Sequence, residues 1–141
     1  MEQVKIPRGI RNNNPLNIRK GAGWQGLATN QSDPSFCVFK SMVYGLRAAH
    51  KLLRNYITGC DGRVKPCDTI SLIISKWAPP SENATQKYID FVCKQTGLHP
   101  HERVHFLDRK LMCDIVEAMA FVECGQKIDR ALIESAFDLL S

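Results

Sequence analysis

Near its end the chain carries a glutamate placed where a carboxylic acid could act on a substrate. The apolar positions 111, 115, 119 and 122 run down one face of a predicted helix over residues 108–123, and Glu123 follows position 119 by four residues. Burial beside that face and the negative end of the helix dipole both favour the protonated carboxyl, the form that a general acid needs. The alternative is an ordinary exposed glutamate at a helix end before Gly125.

A polar stretch near the start of the chain is suited to holding a sugar. Four of six consecutive residues are asparagines: Asn12, Asn13, Asn14 and Asn17. Pro15 among them disfavours a regular helix or central strand, so the stretch predicts a rigid loop rich in amide donors and acceptors. Trp24 follows, and an indole ring stacks on the apolar face of a sugar. The alternative is a self-capped turn with Trp24 in the core. Residues 12–24 are called the asparagine loop below.

The elements that must position these residues are mostly helical, with one small β-hairpin, which is a mainly α (α+β) fold. Residues 1–11 are predicted as an extended lead-in, and residues 12–41 as a loop and hairpin region with a strand over 36–41. Helices are predicted over 42–57, over 69–77 with Asp68 as its cap, from the cap Asn83 to Gly97, and over 129–140.

Composition predicts one soluble domain over residues 1–141. The chain is 44% hydrophobic and 23% charged, with a net charge of +5 and no long basic run. Such a charge favours anionic partners such as a bacterial envelope, and the scattered cations disfavour a dedicated nucleic-acid surface. No apolar run approaches the roughly 20 residues that cross a bilayer. The start has no secretory hydrophobic core, so we expect a cytoplasmic protein on synthesis.

The cysteines and histidines predict neither a disulfide framework nor a metal site. Six cysteines in such a compartment are expected to be reduced, and a Cys60–Cys67 pair would need an oxidising environment. Three histidines within residues 99–105 match no zinc spacing, and Pro100 breaks any shared helix face. No cofactor is predicted.

Two motifs in this order resemble those of a known group of proteins. Residues 11–19 read Arg-Asn-Asn-Asn-Pro-Leu-Asn-Ile-Arg, and residues 77–89 read Trp-Ala-Pro-Pro-Ser-Glu-Asn-Ala-Thr-Gln-Lys-Tyr-Ile. The combination resembles short phage and prophage proteins related to the glucosaminidase, flagellar-muramidase and lytic transglycosylase branch of the lysozyme-like superfamily. The resemblance covers roughly residues 8–97, and Leu16 stands where those relatives usually have glycine.

The resemblance implies a lysozyme-like fold that acts on the glycan strands of peptidoglycan with a glutamate as general acid. In those relatives the acid precedes the asparagine loop, whereas here only Glu2 does, so Glu123 in the C-terminal helix implies a circular permutation. Tyr88 resembles a tyrosine that binds the catalytic glutamate, with an ordinary core tyrosine as the alternative. Glu82, near a helix N-terminus, makes a poor acid. It joins the substrate-binding candidates, which are Asn13, Asn14, Asn17 and Trp24.

Two functions remain open on this reading. The chain is a peptidoglycan glycan-strand hydrolase of the muramidase, glucosaminidase or lytic transglycosylase type, or it is a non-catalytic virion or wall-binding protein with the same fold. Either would meet the wall from a virion, an injection device or after release to the periplasm, with other virion or injection-device proteins as further partners.

Overall fold

Helices make up most of the described part of the protein. The computed structural model describes residues 6–59, 65–78 and 82–140, except for the side chains of residues 82 and 83. Within these ranges the chain forms six helices: α1 (Arg8–Arg11), α2 (Met42–Thr58), α3 (Ile70–Trp77), α4 (Glu82–Thr96), α5 (Arg109–Cys124) and α6 (Arg130–Asp138). The mainly helical class is confirmed. No helix in these ranges is long and apolar enough to cross a membrane.

The predicted helix ends are partly right. Gly97 and Gly125 follow α4 and α5 with φ of 76° and 69°, in the left-handed region where glycine has no steric cost. Two predicted caps are wrong. Thr69 rather than Asp68 caps α3, its hydroxyl accepting a hydrogen bond from the Leu72 amide at 3.2 Å. Asn83 lies inside α4, which begins one residue earlier.

α5 is the central helix, because it packs against α1, α2, α4 and α6. Its buried residues are Met112, Cys113, Ile115, Val116, Ala118, Met119, Ala120 and Cys124. They cover more than one face, as expected for a helix enclosed by others. Val122 was predicted on the buried face but is 39% exposed. The exposed edge of α5 near its C-terminus therefore carries Val122 and Glu123.

The predicted hairpin is not a regular one. In the described residues before α2 the chain pairs only at isolated antiparallel bridges, Arg19–Phe36 and Leu27–Phe39. The Gln31 side chain takes the place of a strand partner: its amide nitrogen donates to the Val38 carbonyl at 2.8 Å, and its oxygen accepts from the Val38 amide at 2.9 Å. Side-chain amides thus satisfy backbone groups that a β-ladder would otherwise use.

The prediction of an extended segment before the asparagine loop is wrong for residues 8–11. Residues 8–11 form the single turn α1, in which the Arg11 amide donates to the Pro7 carbonyl and the Asn12 amide to the Arg8 carbonyl, both at 3.0 Å. Pro7 precedes the turn with φ of −54°, a geometry suited to a helix start. Residues 1–5 lie outside the described part.

Candidate functional site

An open groove of about 810 Å³ lies between the asparagine loop, the ends of α2 and α3, the first turns of α4 and the C-terminal end of α5. Its lining residues are Asn17, Arg19, Phe36, Tyr56, Trp77, Ala78, Ala84, Thr85, Lys87, Tyr88, Phe91, Val122 and Glu123. This set is largely apolar and aromatic with a few polar groups, which is typical of a site for an organic ligand.

The half-buried Glu123 carboxyl lies in the wall of this groove. Its Oε2 accepts a hydrogen bond from the Tyr88 hydroxyl at 3.0 Å and a longer one from the Trp77 indole nitrogen at 3.4 Å. Within the described residues, Oε1 has no hydrogen-bond partner. One carboxyl oxygen is thus fixed by two donors, while the other is available to a ligand.

Tyr88 is 8% exposed and is a donor to that carboxyl. Burial, together with the charge of Glu123 and the hydrogen bond to it, raises the pKa of the Tyr88 hydroxyl above its ordinary value. The phenol therefore stays protonated over the whole working range of pH. Its hydrogen can remain directed to Glu123.

Two hydrogen bonds hold the end of α5 against the asparagine loop. The Cys124 thiol donates to the Pro15 backbone carbonyl at 3.0 Å, and the Asn17 side-chain nitrogen donates to the Glu123 backbone carbonyl at 3.4 Å. Burial first, and then the nearby Glu123 charge, raise the pKa of Cys124 to about 11. The thiol is therefore a protonated donor. These contacts bring together the residues that the circular permutation requires to be close.

Asn13 and Asn14 lie behind the groove and hold the loop in shape. The fully buried Asn14 amide donates to the carbonyls of Ile18 and Cys37, both at 2.9 Å, and its oxygen accepts from the Ile18 amide at 2.9 Å. Asn13 has φ of 52° and donates to the Phe39 carbonyl at 3.1 Å. Neither lines the groove, so of the two roles open to them these contacts favour holding the loop.

Asn17 is the asparagine that reaches the groove. It also has a left-handed backbone, with φ of 53°, which asparagine tolerates better than most residues. Its side-chain oxygen is buried without a hydrogen-bond partner in the described part of the chain. Asn17 therefore lines the groove, contacts the helix end that carries Glu123, and has its side-chain oxygen inside the protein beside Gly9.

The other two predicted ligand contacts are not among the residues seen in the groove. Trp24 is partly buried and packs against the hydrophobic core, outside the groove lining. The Glu82 side chain lies outside the described residues. The aromatic residues of the groove are instead Phe36, Tyr56, Trp77, Tyr88 and Phe91.

Trp77 is the site residue that the sequence reasoning missed. Helical spacing placed it on the core face of α3, yet it lies at the last turn of that helix and donates to Glu123. The segment after it, Ala-Pro-Pro, was the available signal, because a helix that stops there exposes its final side chain at an edge.

Asp33, in the turn at residues 32–35, could be predicted as a second carboxylate of the site, but its contacts are those of a structural residue. It is 7% exposed and pairs with the Arg8 guanidinium through two contacts of 2.6 Å. It also accepts from the Asn12 side chain at 2.9 Å and from the amides of Ser35 and Phe36. The hydrogen bond from Arg8 is the main reason that the pKa of Asp33 lies well below its usual range.

No group of three or more histidine, cysteine, aspartate or glutamate side chains that could hold a metal occurs among the described residues. His99 and His101 are surface neighbours, with ring centroids 5.8 Å apart. The five cysteines of the described ranges are free thiols, and Cys60 lies outside them.

The sequence of this chain is similar to that of a phage protein. The chain is 38% identical over 122 residues to Protein P5 of Pseudoalteromonas phage PM2, an alignment that covers 84% of this chain and 71% of that protein. The chain therefore belongs to the same family as Protein P5. No protein-family model matches the sequence.

Proposed function

We propose that this protein is a phage or prophage lysozyme-like enzyme that cleaves the glycan strand of peptidoglycan, with Glu123 as general acid. Membership of the Protein P5 family supports the phage setting. The observation that carries the catalytic part is the 3.0 Å hydrogen bond from Tyr88 to Glu123 in the wall of an open groove. Two residues predicted to work together from different parts of the sequence are in contact there.

The chemistry begins with a proton on the Glu123 carboxyl. The acid donates that proton to the glycosidic oxygen as the bond breaks, and an oxocarbenium-like state develops on the sugar. Tyr88 and Trp77 hold Oε2, so Oε1 is the oxygen that carries the proton toward the substrate. After the transfer, the same two donors stabilise the carboxylate that remains.

The positive charge on the sugar requires a partner as well. Among the groove residues with described side chains, Glu123 is the acidic one, so none of the others is a second carboxylate. Asp33 lies outside the groove lining and is paired with Arg8. The N-acetyl group of the substrate is the candidate for this role, as in substrate-assisted glycosidases.

Binding of the strand is assigned to the aromatic wall. Phe36, Tyr56 and Trp77 offer apolar surface for the faces of successive sugars, and Asn17 supports the wall by holding the end of α5.

The decisive experiment replaces Glu123 by glutamine, which keeps the size of the side chain and removes the acid. We expect Glu123→Gln to lower the rate of peptidoglycan solubilisation by about 10²–10⁴-fold, because a positioned general acid contributes this much. The matched control is Glu102→Gln, an exposed glutamate whose carboxyl contacts only the His99 amide, at 3.2 Å, within the described chain.

The outcomes separate an enzyme from a binding protein. Loss of cleavage with retained sedimentation on intact sacculi supports the general acid. Wild-type protein that sediments with sacculi but releases no saccharide contradicts catalysis and favours the wall-binding or virion structural alternative. Equal cleavage by both variants and the wild type would show that the acid is elsewhere.

A further inference from the structure

We propose that the groove selects strands that carry free carboxylate groups, with Arg19 and Lys87 as the specificity-determining residues. The inference rests on the proposed function and narrows its substrate. It distinguishes carboxylate-bearing peptidoglycan strands from neutral N-acetylglucosamine polymers, which share the same glycosidic linkage.

Arg19 is a cation of the groove lining that has no acidic partner among the described side chains. It is an exposed lining residue, and its guanidinium carbon lies 5.0 Å from the centroid of the Phe36 ring. A cation held over an aromatic face keeps its in-plane N–H groups free for another acceptor. Arg19 forms no ion pair with a described side chain, whereas Arg8, over the same ring at 4.5 Å, is paired with Asp33.

Lys87 supplies a second cation from α4. It is an exposed lining residue that directly precedes Tyr88, and it too forms no ion pair with a described side chain. Some other cations of the described surface do pair with acidic groups: Arg103 with Asp68, Arg109 with Asp138 and Arg130 with Asp114. The unpaired cations Arg19 and Lys87 thus both line the groove.

The balance of charge in the groove favours an anionic ligand. Among lining residues with described side chains, the acidic group is Glu123, whose single negative charge is outnumbered by two cations. The remaining formal charge comes from Arg19 and Lys87 and is positive. Neutral sugars make no charge-assisted hydrogen bonds to these groups, whereas carboxylates do, with bidentate geometry at arginine.

The carboxylate has two possible sources on a peptidoglycan strand. One is the lactyl group of muramic acid where the peptide has been removed, and the other is the stem peptide itself. The chemistry is the same in both, so a test must offer them separately.

The test measures the affinity of the Glu123→Gln protein, which leaves the strands uncut, for soluble strands of four kinds. One type of strand carries stem peptides, and a second type, made by amidase treatment, carries only lactyl carboxylates. Each type is used before and after its carboxyl groups are amidated with a carbodiimide. We expect amidation to weaken binding about fivefold or more for at least one source. We expect the added change Arg19→Gln with Lys87→Gln to abolish that ratio.

The matched control removes two positive charges elsewhere. Lys40 and Lys110 are exposed and outside the groove lining, and Lys110 lies near the opposite end of α5 from Glu123. Lys40→Gln with Lys110→Gln keeps the net charge equal to that of the groove variant, so we expect it to keep the full preference for carboxylates.

Equal affinity for native and amidated strands, no binding to any strand, or the same preference in both double variants overturns this inference. Cleavage by the wild-type protein is scored separately. Cleavage without a preference for carboxylates supports the proposed function and contradicts this inference. A preference for carboxylates without cleavage supports this inference and contradicts the proposed catalysis.

Discussion

At the residue scale, the two oxygens of one carboxyl have different surroundings. Oε2 of Glu123 is fixed by Tyr88 and Trp77, and Oε1 has no such partner within the described residues. This difference between the two oxygens persists as long as the Tyr88 hydroxyl keeps its proton. Burial raises the pKa of that hydroxyl, so it remains a donor at working pH. In the proposed mechanism, Tyr88 acts through Glu123 as a positioning residue.

Tyr88→Phe tests this role because it removes one hydroxyl and leaves the ring packing. We expect the rate of wall cleavage at saturating substrate to fall about 10-fold to 100-fold, the effect of losing a hydrogen bond to a charged group of about 1.5–3 kcal/mol. Substrate affinity should change much less. Tyr44→Phe is the control, since Tyr44 is outside the groove lining. Equal turnover in Tyr88→Phe and wild type would remove Tyr88 from the mechanism.

The sequence anticipated the glutamate and tyrosine but not their whole environment. Helical spacing and the glycine after it placed Glu123 at an edge, and the motif resemblance paired it with Tyr88, a contact that is present. Trp77 was missed because apolar spacing within α3 indicates only a core face. Spacing in one helix carries no information on which side chain another helix will meet.

At the scale of elements, α2 and the asparagine loop are in unusually close contact. A Cβ placed on Gly45 would overlap the Asn13 carbonyl oxygen, so only glycine lets the loop lie against the helix here. The loop carries Asn17 to the end of α5. The position of the groove wall therefore depends on a contact made on the far side of the loop.

Gly45→Ala is expected to be destabilising, although alanine is the better helix former. The overlap with backbone should lower the free energy of unfolding by about 1–3 kcal/mol, outweighing a gain of up to about 1 kcal/mol in helix propensity. Urea denaturation measures this. Gly23→Ala is the control, because a Cβ there meets nothing within 4 Å and its φ is not positive. A Gly45→Ala protein as stable as wild type would contradict the close contact.

A buried histidine joins α2 to α6. The His50 ring is fully buried, and its Nε2 lies 3.0 Å from the Ile133 carbonyl oxygen. The His50 and Phe137 rings are in edge-to-face contact, with their centroids 5.4 Å apart. Burial is the main reason that its pKa is lowered from 6.5 to about 4; Arg130 lowers it further, while the Ile133 carbonyl and Asp138 oppose the shift. The folded protein therefore holds His50 neutral where the unfolded chain would protonate it.

The free energy of unfolding should consequently fall as the pH drops from 6.5 to about 4. In that window the unfolded state binds a proton that the folded state does not, which costs at most about 3 kcal/mol. Denaturant titrations at several pH values measure the slope. His50→Gln, which does not titrate, should show a shallower slope than wild type. The same slope in both proteins would place the pH dependence elsewhere.

At the scale of the whole molecule, apolar periodicity predicted the helices better than polar patterning predicted the loops. Helices α2, α5 and α6 lie within a residue or two of their expected bounds, because apolar residues recur at helical spacing in each. A regular hairpin is not confirmed, because Gln31 and Asn14 bind backbone groups that strands would share. Nothing in local spacing reveals such long-range side-chain bonds.

The distance along the chain between the two halves of the site has a kinetic consequence. Asn17 and Glu123 are 106 positions apart, and Pro15 and Cys124 are 109 positions apart. Their contact closes a loop that includes most of the protein, and pairings of such separation slow folding. During synthesis Glu123 leaves the ribosome long after the asparagine loop. The groove is therefore assembled late, and a nascent chain has no complete site until α5 has been made and docked.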